Sequence, residues 1–388
     1  MMETRWGGGG AKEAGGGGGG APAARGVPAD GPEADGLFDF AYTGSGGLIG
    51  FYAGVTQGLL DYEVIVPGQT RFGGLSGGAL AVTMTTLGLD GPQQLAATVQ
   101  TMLRCAALPG HCAEPGQIDA ALMAQLEGML DETSAALFSE KVFYWGAEIN
   151  PADPTEADNR ARVLAPYSSK ADLLHALSAT SYVPCGIGAN PYKLFRGRPF
   201  IDGGYATAIP WECPPQLAGQ PEKRCVTVAV SQVGPLSKGS LLDCPRNFSQ
   251  PRTGPAYEEV KAADWALPET CEGFTMPNLV QAKGAEICPG CRVQLPDQFD
   301  VCKWRSFSKS PPKALKDVVA IYQQGIAEAH AWAVENGFRP KVSFTTSITA
   351  APKAFISQLV GVDAPAEPRH VSMLQKLKPA NPLVAWLP

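Results

Sequence analysis

The stretch RFGGLSGGALAV, Arg71 to Val82, decides the fold. Its centre, Gly74-Leu75-Ser76-Gly77-Gly78, fits the pattern Gly-x-Ser-x-Gly. In that pattern a serine sits on a cramped strand-to-helix turn and the flanking glycines relieve the crowding. Upstream, Tyr62 to Val66 (YEVIV) reads as a strand. Downstream of Gly77, the small and apolar residues Ala79, Leu80, Val82, Met84 and Leu87 suit a buried helix. Strand, serine turn and helix together form the repeating unit of an α/β protein.

Working outward, the same alternation continues. Leu37 to Tyr42 reads as a short buried strand. Asp90 caps a helix with Pro92 in its first turn, and Leu95, Val99, Met102 and Leu103 fall on one face. A further helix is expected over Ile118 to Leu130, strands at Lys141 to Ile149 and from Arg162, a helix over Ser169 to Ala179, and a strand at Arg198 to Asp202. This order predicts an α/β fold with a mostly parallel sheet and helices on its faces, with ligand chemistry at the carboxyl ends of the strands. Beyond about Pro214 proline and cysteine dominate and periodic segments are few. The exception is Pro312 to Asn336, where Leu315, Val318, Val319, Tyr322, Ile326 and Ala329 trace one face of a long helix. The expected organisation is a tail over 1–36, an α/β domain over 37–215, and a Cys/Pro-rich and helical extension over 216–388 packed on it.

The uncharged run from Phe40 to Val55, FAYTGSGGLIGFYAGV, carries five glycines and admits three explanations. A phosphate loop needs Gly-x-x-x-x-Gly-Lys-Ser/Thr, which is absent, and a dinucleotide fingerprint needs glycine where Ile49 stands. A membrane span has the length but too little apolar side chain among Gly44, Gly46, Gly47, Gly50, Gly54 and Gly58. The reading left is an oxyanion loop, in which backbone N–H groups at Gly44, Ser45, Gly46 and Gly47 face charge developing on an attacked carbonyl. It precedes Ser76 by about 30 residues, the length of one strand–helix–strand unit.

Composition sets the outer limits. The chain has 388 residues, 45% hydrophobic and 18% charged, a globular balance, and its formal net charge of -6 without a basic cluster disfavours a nucleic-acid partner. The glycine-rich first 36 residues, including Gly15 to Gly20, cannot offset ordering entropy and read as a tail. They lack the apolar core of a secretory signal, and Glu3, Glu13, Asp30, Glu33 and Asp35 argue against a transit peptide. These features leave localisation open, with a cytoplasmic one favoured. Ten cysteines are present, seven of them between Cys213 and Cys302. The lone Cys288-Pro-Gly-Cys291 lacks a second ligand pair for zinc, so no metal is expected, and both disulfides and free buried thiols remain open.

Four segments in order now carry a resemblance: Gly44 to Val55, Gly74 to Gly78, Ala176 to Pro184 (ALSATSYVP), and Phe200 to Pro210 (FIDGGYATAIP). Together they resemble the patatin-like phospholipase family, close in style to its animal triglyceride-lipase branch, over roughly residues 37–215. The resemblance implies a three-layer α/β/α core and a Ser-Asp dyad, with Ser76 as nucleophile and Asp202 of the Asp-Gly-Gly motif, with Gly203 and Gly204, as base. It further implies acyl-ester hydrolysis of glycerolipids through an acyl-enzyme, with no cofactor, and contact with a membrane or lipid-droplet surface without a transmembrane segment. The loop departs from the family pattern at Ser45, Leu48 and Ile49.

The chemistry is consistent with these residue types. An aspartate at its ordinary pKa of about 3.9 is a weak base for a serine hydroxyl, so Asp202 must be close to Ser76 in a partly dry site. Asp61, Asp172 and Glu148 read as solvated or capping groups. Among the histidines, His111 precedes the acid, His175 reads as structural and His330 as a surface residue of the long helix. His370 is the candidate for a Ser-His-Asp triad in chain order. A catalytically silent lipid-binding protein on the same fold is the non-enzymatic alternative.

Overall fold

The computed structural model describes residues 38–107, 116–149, 160–184, 187, 190–206, 213–216, 223–238, 284–309, 312 and 314–340. The tail over 1–36, His111 and His370 lie outside the described residues. The chain is mixed α/β. Its first strand, β1 (Phe38–Tyr42), leads through a 3-10 turn (Gly46–Leu48) into helix α1 (Ile49–Asp61), and β2 (Arg71–Gly74) leads into α2 (Ser76–Thr86). Then come α3 (Gly91–Ala107), α4 (Gln117–Met129), α5 (Ser134–Lys141), β3 (Val142–Glu148), β4 (Arg160–Val163) and α6 (Lys170–Thr180). The hairpin β5 (Lys193–Phe195) and β6 (Arg198–Ile201) precedes β7 (Arg224–Val228), α7 (Val301–Lys309) and α8 (Leu315–Glu335).

Among the described residues the strands form one seven-stranded sheet in the order β5-β6-β3-β2-β1-β7, with β4 also on β3. The pairs β1/β2, β1/β7 and β2/β3 are parallel, while β4, β6 and β5 add antiparallel to the second half of β3 and to each other. The mostly parallel α/β expectation is met. Alternation along β1 and β2 directs Phe40, Tyr42 and Phe72 toward the helices, where Tyr42 meets Tyr52 of α1 edge-on and Phe40 meets Trp332 of α8. The opposite face carries Asp39 and Arg71, a buried ion pair at 3.3 Å, and Arg71 also donates to the Pro215 carbonyl. Burial pushes the Asp39 carboxyl up, and Arg71, Lys223 and Lys141 oppose it.

The glycine run divides between two tasks. Its second part packs helices: a Cβ on Gly54 would stand 2.0 Å from the Tyr322 carbonyl and one on Gly325 2.1 Å from the Phe51 carbonyl. Those side-chain-free positions let α1 and α8 touch backbone to backbone. Its first part forms the loop described below. Phe40 to Leu60 is thus a strand, a turn and a helix, and no helix among the described residues is long and apolar enough to cross a membrane.

Two local expectations need correction. Tyr62 to Val66 is no strand: Tyr62 ends α1 and Glu63 takes a positive φ of 49°. Val64 and Ile65 are buried all the same, so the apolar run fills the core as a turn. The region after Pro214 also holds more order than its composition suggests, since Arg224–Val228 pairs directly with β1 and α7 packs against the 3-10 turn. Its cysteines favour one of the two open readings. Cys213 bonds to Cys225, Cys288 to Cys291, and Cys302 is also disulfide-bonded, with no free thiol among the described residues.

Candidate active site

The serine turn forms where the chain must reverse from β2 into α2 within one residue. Leu75 is extended (φ -136°, ψ 155°) and Ser76 is left-handed at φ 52°, a conformation that costs a non-glycine residue about 1–3 kcal/mol. The neighbouring glycine makes this turn possible, because a Cβ on Gly78 would lie 2.2 Å from the Tyr42 carbonyl and 2.3 Å from that of Thr43. The helix therefore starts directly beneath the end of β1. Gly74 and Leu75 precede the serine within the same turn, and Leu75 donates its N–H to the Tyr42 carbonyl at 3.3 Å.

The glycine loop lies against this turn. The Cβ position of Gly44 is 3.2 Å from Leu75 Cδ1, 3.4 Å from Ser76 Cβ and 3.8 Å from Ser76 Oγ, and that of Gly77 points at Ser45 Oγ. Gly46 and Gly47 open the 3-10 turn that runs into α1, so the leading N–H groups there have no acceptor within the helix. Leu48 and Ile49 are buried, and Ile49 is already the first residue of α1. Those two side chains serve the core.

Asp202 enters from the other side. It follows β6, its N–H donates to the Tyr182 carbonyl at 2.8 Å, and its Oδ1 accepts from Gly204 N–H at 2.8 Å. Gly203 fits between Trp145 and Leu75, its Cβ position 2.2 Å from the Trp145 carbonyl and 2.8 Å from Leu75 Cβ. The segment Ala176 to Pro184 supports the same point: Thr180 donates to the Trp145 carbonyl at 2.6 Å and Ser181 to the Ser76 carbonyl at 3.4 Å. Three of the sequence motifs thus meet around Leu75 and Ser76, with the fourth behind them.

Asp202 is 1% exposed and Ser76 7%. Burial lifts the Asp202 carboxyl to about 6, against the opposing pull of the Ser76 hydroxyl and the Gly204 N–H. Ser76 is the side chain acting on this carboxylate, yet Oδ2 has no partner within ordinary hydrogen-bond distance and angle. Ser76 thus bears on the carboxylate without completing a hydrogen bond to Oδ2. The arrangement places a strained hydroxyl, a desolvated carboxylate and a row of backbone amides at one end of the sheet. It can attack a carbonyl, hold the resulting oxyanion and accept a proton.

The remaining candidates fall elsewhere. His330 is buried, 4% exposed, and its Nε2 lies 2.8 Å from Asp61 Oδ2, which corrects both the surface reading of His330 and the solvated reading of Asp61. The misreading arose because the partner is 269 positions away. Asp172 accepts from Ser168 N–H at the start of α6 and pairs with Arg196, so its capping reading holds, while Glu148 pairs with Arg162 and Arg198. His175 is exposed on α6. Sequence reasoning missed α7: the Ser308 carbonyl lies over Gly46, where a Cβ would come within 1.8 Å of it. The spacing of Val301, Trp304 and Phe307, all buried, is the signal that could have revealed that helix. Among the described residues no group of three or more His, Cys, Asp or Glu side chains is placed to hold a metal ion. Comparison of the sequence with protein-family models and with curated proteins finds no match.

Proposed function

We propose that this protein is a serine acyl hydrolase of glycerolipid esters, working through Ser76 and Asp202. The observation that carries the reading is a hydroxyl on a left-handed turn facing a fully desolvated aspartate whose pKa is lifted to about 6. Ser76 Oγ attacks the ester carbonyl while Asp202 Oδ2 takes its proton. The loop amides near Gly46 and Gly47 hold the negative oxygen of the tetrahedral species. The alcohol leaves with the proton and the acyl group stays on Ser76. Water then attacks the acyl-enzyme while Asp202 takes its proton, and as the acyl carbon–Oγ bond breaks Asp202 returns that proton to Ser76 Oγ and the fatty acid is released.

A carboxylate with a pKa near 6 is roughly 100-fold more basic than one near 3.9, while still ionised at neutral pH. The resemblance to patatin-like phospholipases supports the lipid ester as substrate class, the three-layer α/β/α core, and contact with a lipid surface. The test is hydrolysis of a panel of phospholipids, galactolipids and acylglycerols, beside labelling by a fluorophosphonate, which reacts only with an activated serine. Full turnover in Ser76→Ala or Asp202→Asn would end the proposal.

A catalytically silent lipid-binding protein is the second reading, and the missing hydrogen bond at Asp202 Oδ2 is what favours it. Folded protein that binds lipid vesicles but takes no fluorophosphonate is its signature. A triad through His370 predicts instead that His370→Ala abolishes turnover.

A further inference from the structure

The C-terminal half of the chain reaches the glycine loop at two points. The first is the end of β7, where the Val228 carbonyl accepts the N–H of Thr43 at 3.1 Å, just before the loop begins. The second is α7, whose Ser308 carbonyl presses on the Cα of Gly46. Gly46 is itself left-handed at φ 52°. A side chain there is excluded twice, by conformation and by the carbonyl above it.

α7 is held firmly for so short a helix. Asp300 caps its start, accepting the Lys303 N–H at 2.6 Å. Trp304, fully buried, donates its indole N–H to the Val230 carbonyl at 3.1 Å, two residues past the carbonyl that holds Thr43. The same indole meets Phe51 of α1 and Phe299 edge-on, and Phe299 meets Phe307 in turn. Thr43, Val228, Val230, Trp304, Ser308 and Gly46 thus close a ring of contacts around the loop. The fourth side of the loop is Ser76 itself, through Gly44.

We infer that α7 is a positioning element for the oxyanion loop, setting the conformation of Gly46 and Gly47 through the Ser308 carbonyl, with Trp304 as its anchor. This rests on the serine hydrolase reading above. Trp304 and Ser308 touch no reacting atom. They fix where the loop amides point, so their loss is felt when charge develops on the substrate oxygen and little when substrate binds. Residues 37–215 alone therefore hold the nucleophile and base without the support that aims the loop.

The experiment compares the full-length wild type, Trp304→Phe and Gly46→Ala in hydrolysis of a short soluble p-nitrophenyl ester and in rate of fluorophosphonate labelling, with thermal melting as control. Trp304→Phe keeps a ring and removes the indole donor. Expected is a fall in kcat of about tenfold or more with KM within about twofold, and a parallel fall in labelling rate per folded molecule. Gly46→Ala is expected to lose labelling almost entirely. If Trp304→Phe does not accumulate as folded protein, Phe307→Leu, which disturbs α7 at its other end, is read the same way. A folded variant whose kcat and labelling rate stay within twofold of wild type overturns this inference alone. An unlabelled, inactive wild type overturns the hydrolase reading and the inference with it.

Discussion

Among the buried aspartates, Asp61 and Asp202 each lie beside a residue that hydrolases use, and they are finished differently. Asp61, at the end of α1, accepts from Gln57 at 2.8 Å on Oδ1 and meets His330 at 2.8 Å on Oδ2. Gln57 in turn receives the Gly91 N–H at 3.1 Å, so the network ties α1, α3 and α8 together. Asp202 accepts the Gly204 N–H on Oδ1 at 2.8 Å, the Ser76 hydroxyl bears on the same carboxylate, and Oδ2 completes no hydrogen bond. An Asp-His pair looks more like a hydrolase than an Asp-Ser pair, yet the proposal gives the role of base to the carboxylate that is less fully committed. A carboxylate with both oxygens committed is stabilised in place, whereas one left open in a dry site keeps its basicity for a proton.

The contrast can be broken most decisively at Ser76, the proposed nucleophile. Ser76→Ala is expected to lower kcat by about 10⁶-fold and to abolish fluorophosphonate labelling, with folding retained, since it also relieves no contact the core needs. Asp202→Asn follows, with kcat lower by about 10²- to 10⁴-fold in steady-state assay of a soluble ester. Residual labelling in this variant is the sharper readout, because it separates activation of Ser76 from its mere presence.

The pH profile sharpens the comparison next. With Asp202 lifted to about 6, kcat/KM should fall about tenfold per unit of pH below that value. The same shift acts on stability with a definite sign. The folded state holds this proton up to about 6, against an ordinary value of 3.8. Its contribution is therefore favourable at low pH and is lost as pH rises from about 4 through 6, by up to about 3 kcal/mol. Denaturant melts of wild type and Asp202→Asn across this range should converge at low pH and diverge above it, the variant being the more stable.

The smallest effect on catalysis is expected at the closed pair. His330→Ala should cost about 3 kcal/mol of stability by leaving Asp61 buried with one partner fewer, while labelling per folded molecule stays within twofold of wild type. Loss of labelling in a protein that is still folded would show the two aspartates to be coupled, and the distinction drawn between them would fail.

Local pattern made much of this legible. The Gly-x-Ser-x-Gly turn is written by neighbours: Gly78 must pass under two carbonyls and Ser76 must turn left-handed, and both demands fall within five positions. The Asp90 cap was legible for the same reason, since Gln93 and Asp90 exchange bonds at 2.9 and 3.0 Å across three residues. Tyr62 to Val66 misled because β-rich composition describes a buried surface as well as a strand, and here the surface is a turn. Arg224–Val228 went unread because a five-residue strand among prolines and cysteines has too little length to show a period.

The amino-acid order by itself determined the α/β alternation and the serine turn at Ser76, because each is an arrangement of near neighbours with its own steric signature, whereas Asp202 became a candidate through the resemblance of the ordered motifs. Only the tertiary structure decided that the glycine run serves both a loop and a helix contact, that His330 closes on Asp61, and that α7 rests on Gly46. Those pairings join positions 262 to 269 residues apart for the loop and the histidine. A contact across such a distance leaves no local trace, since it depends on which faces the sheet brings together and on what space remains between them.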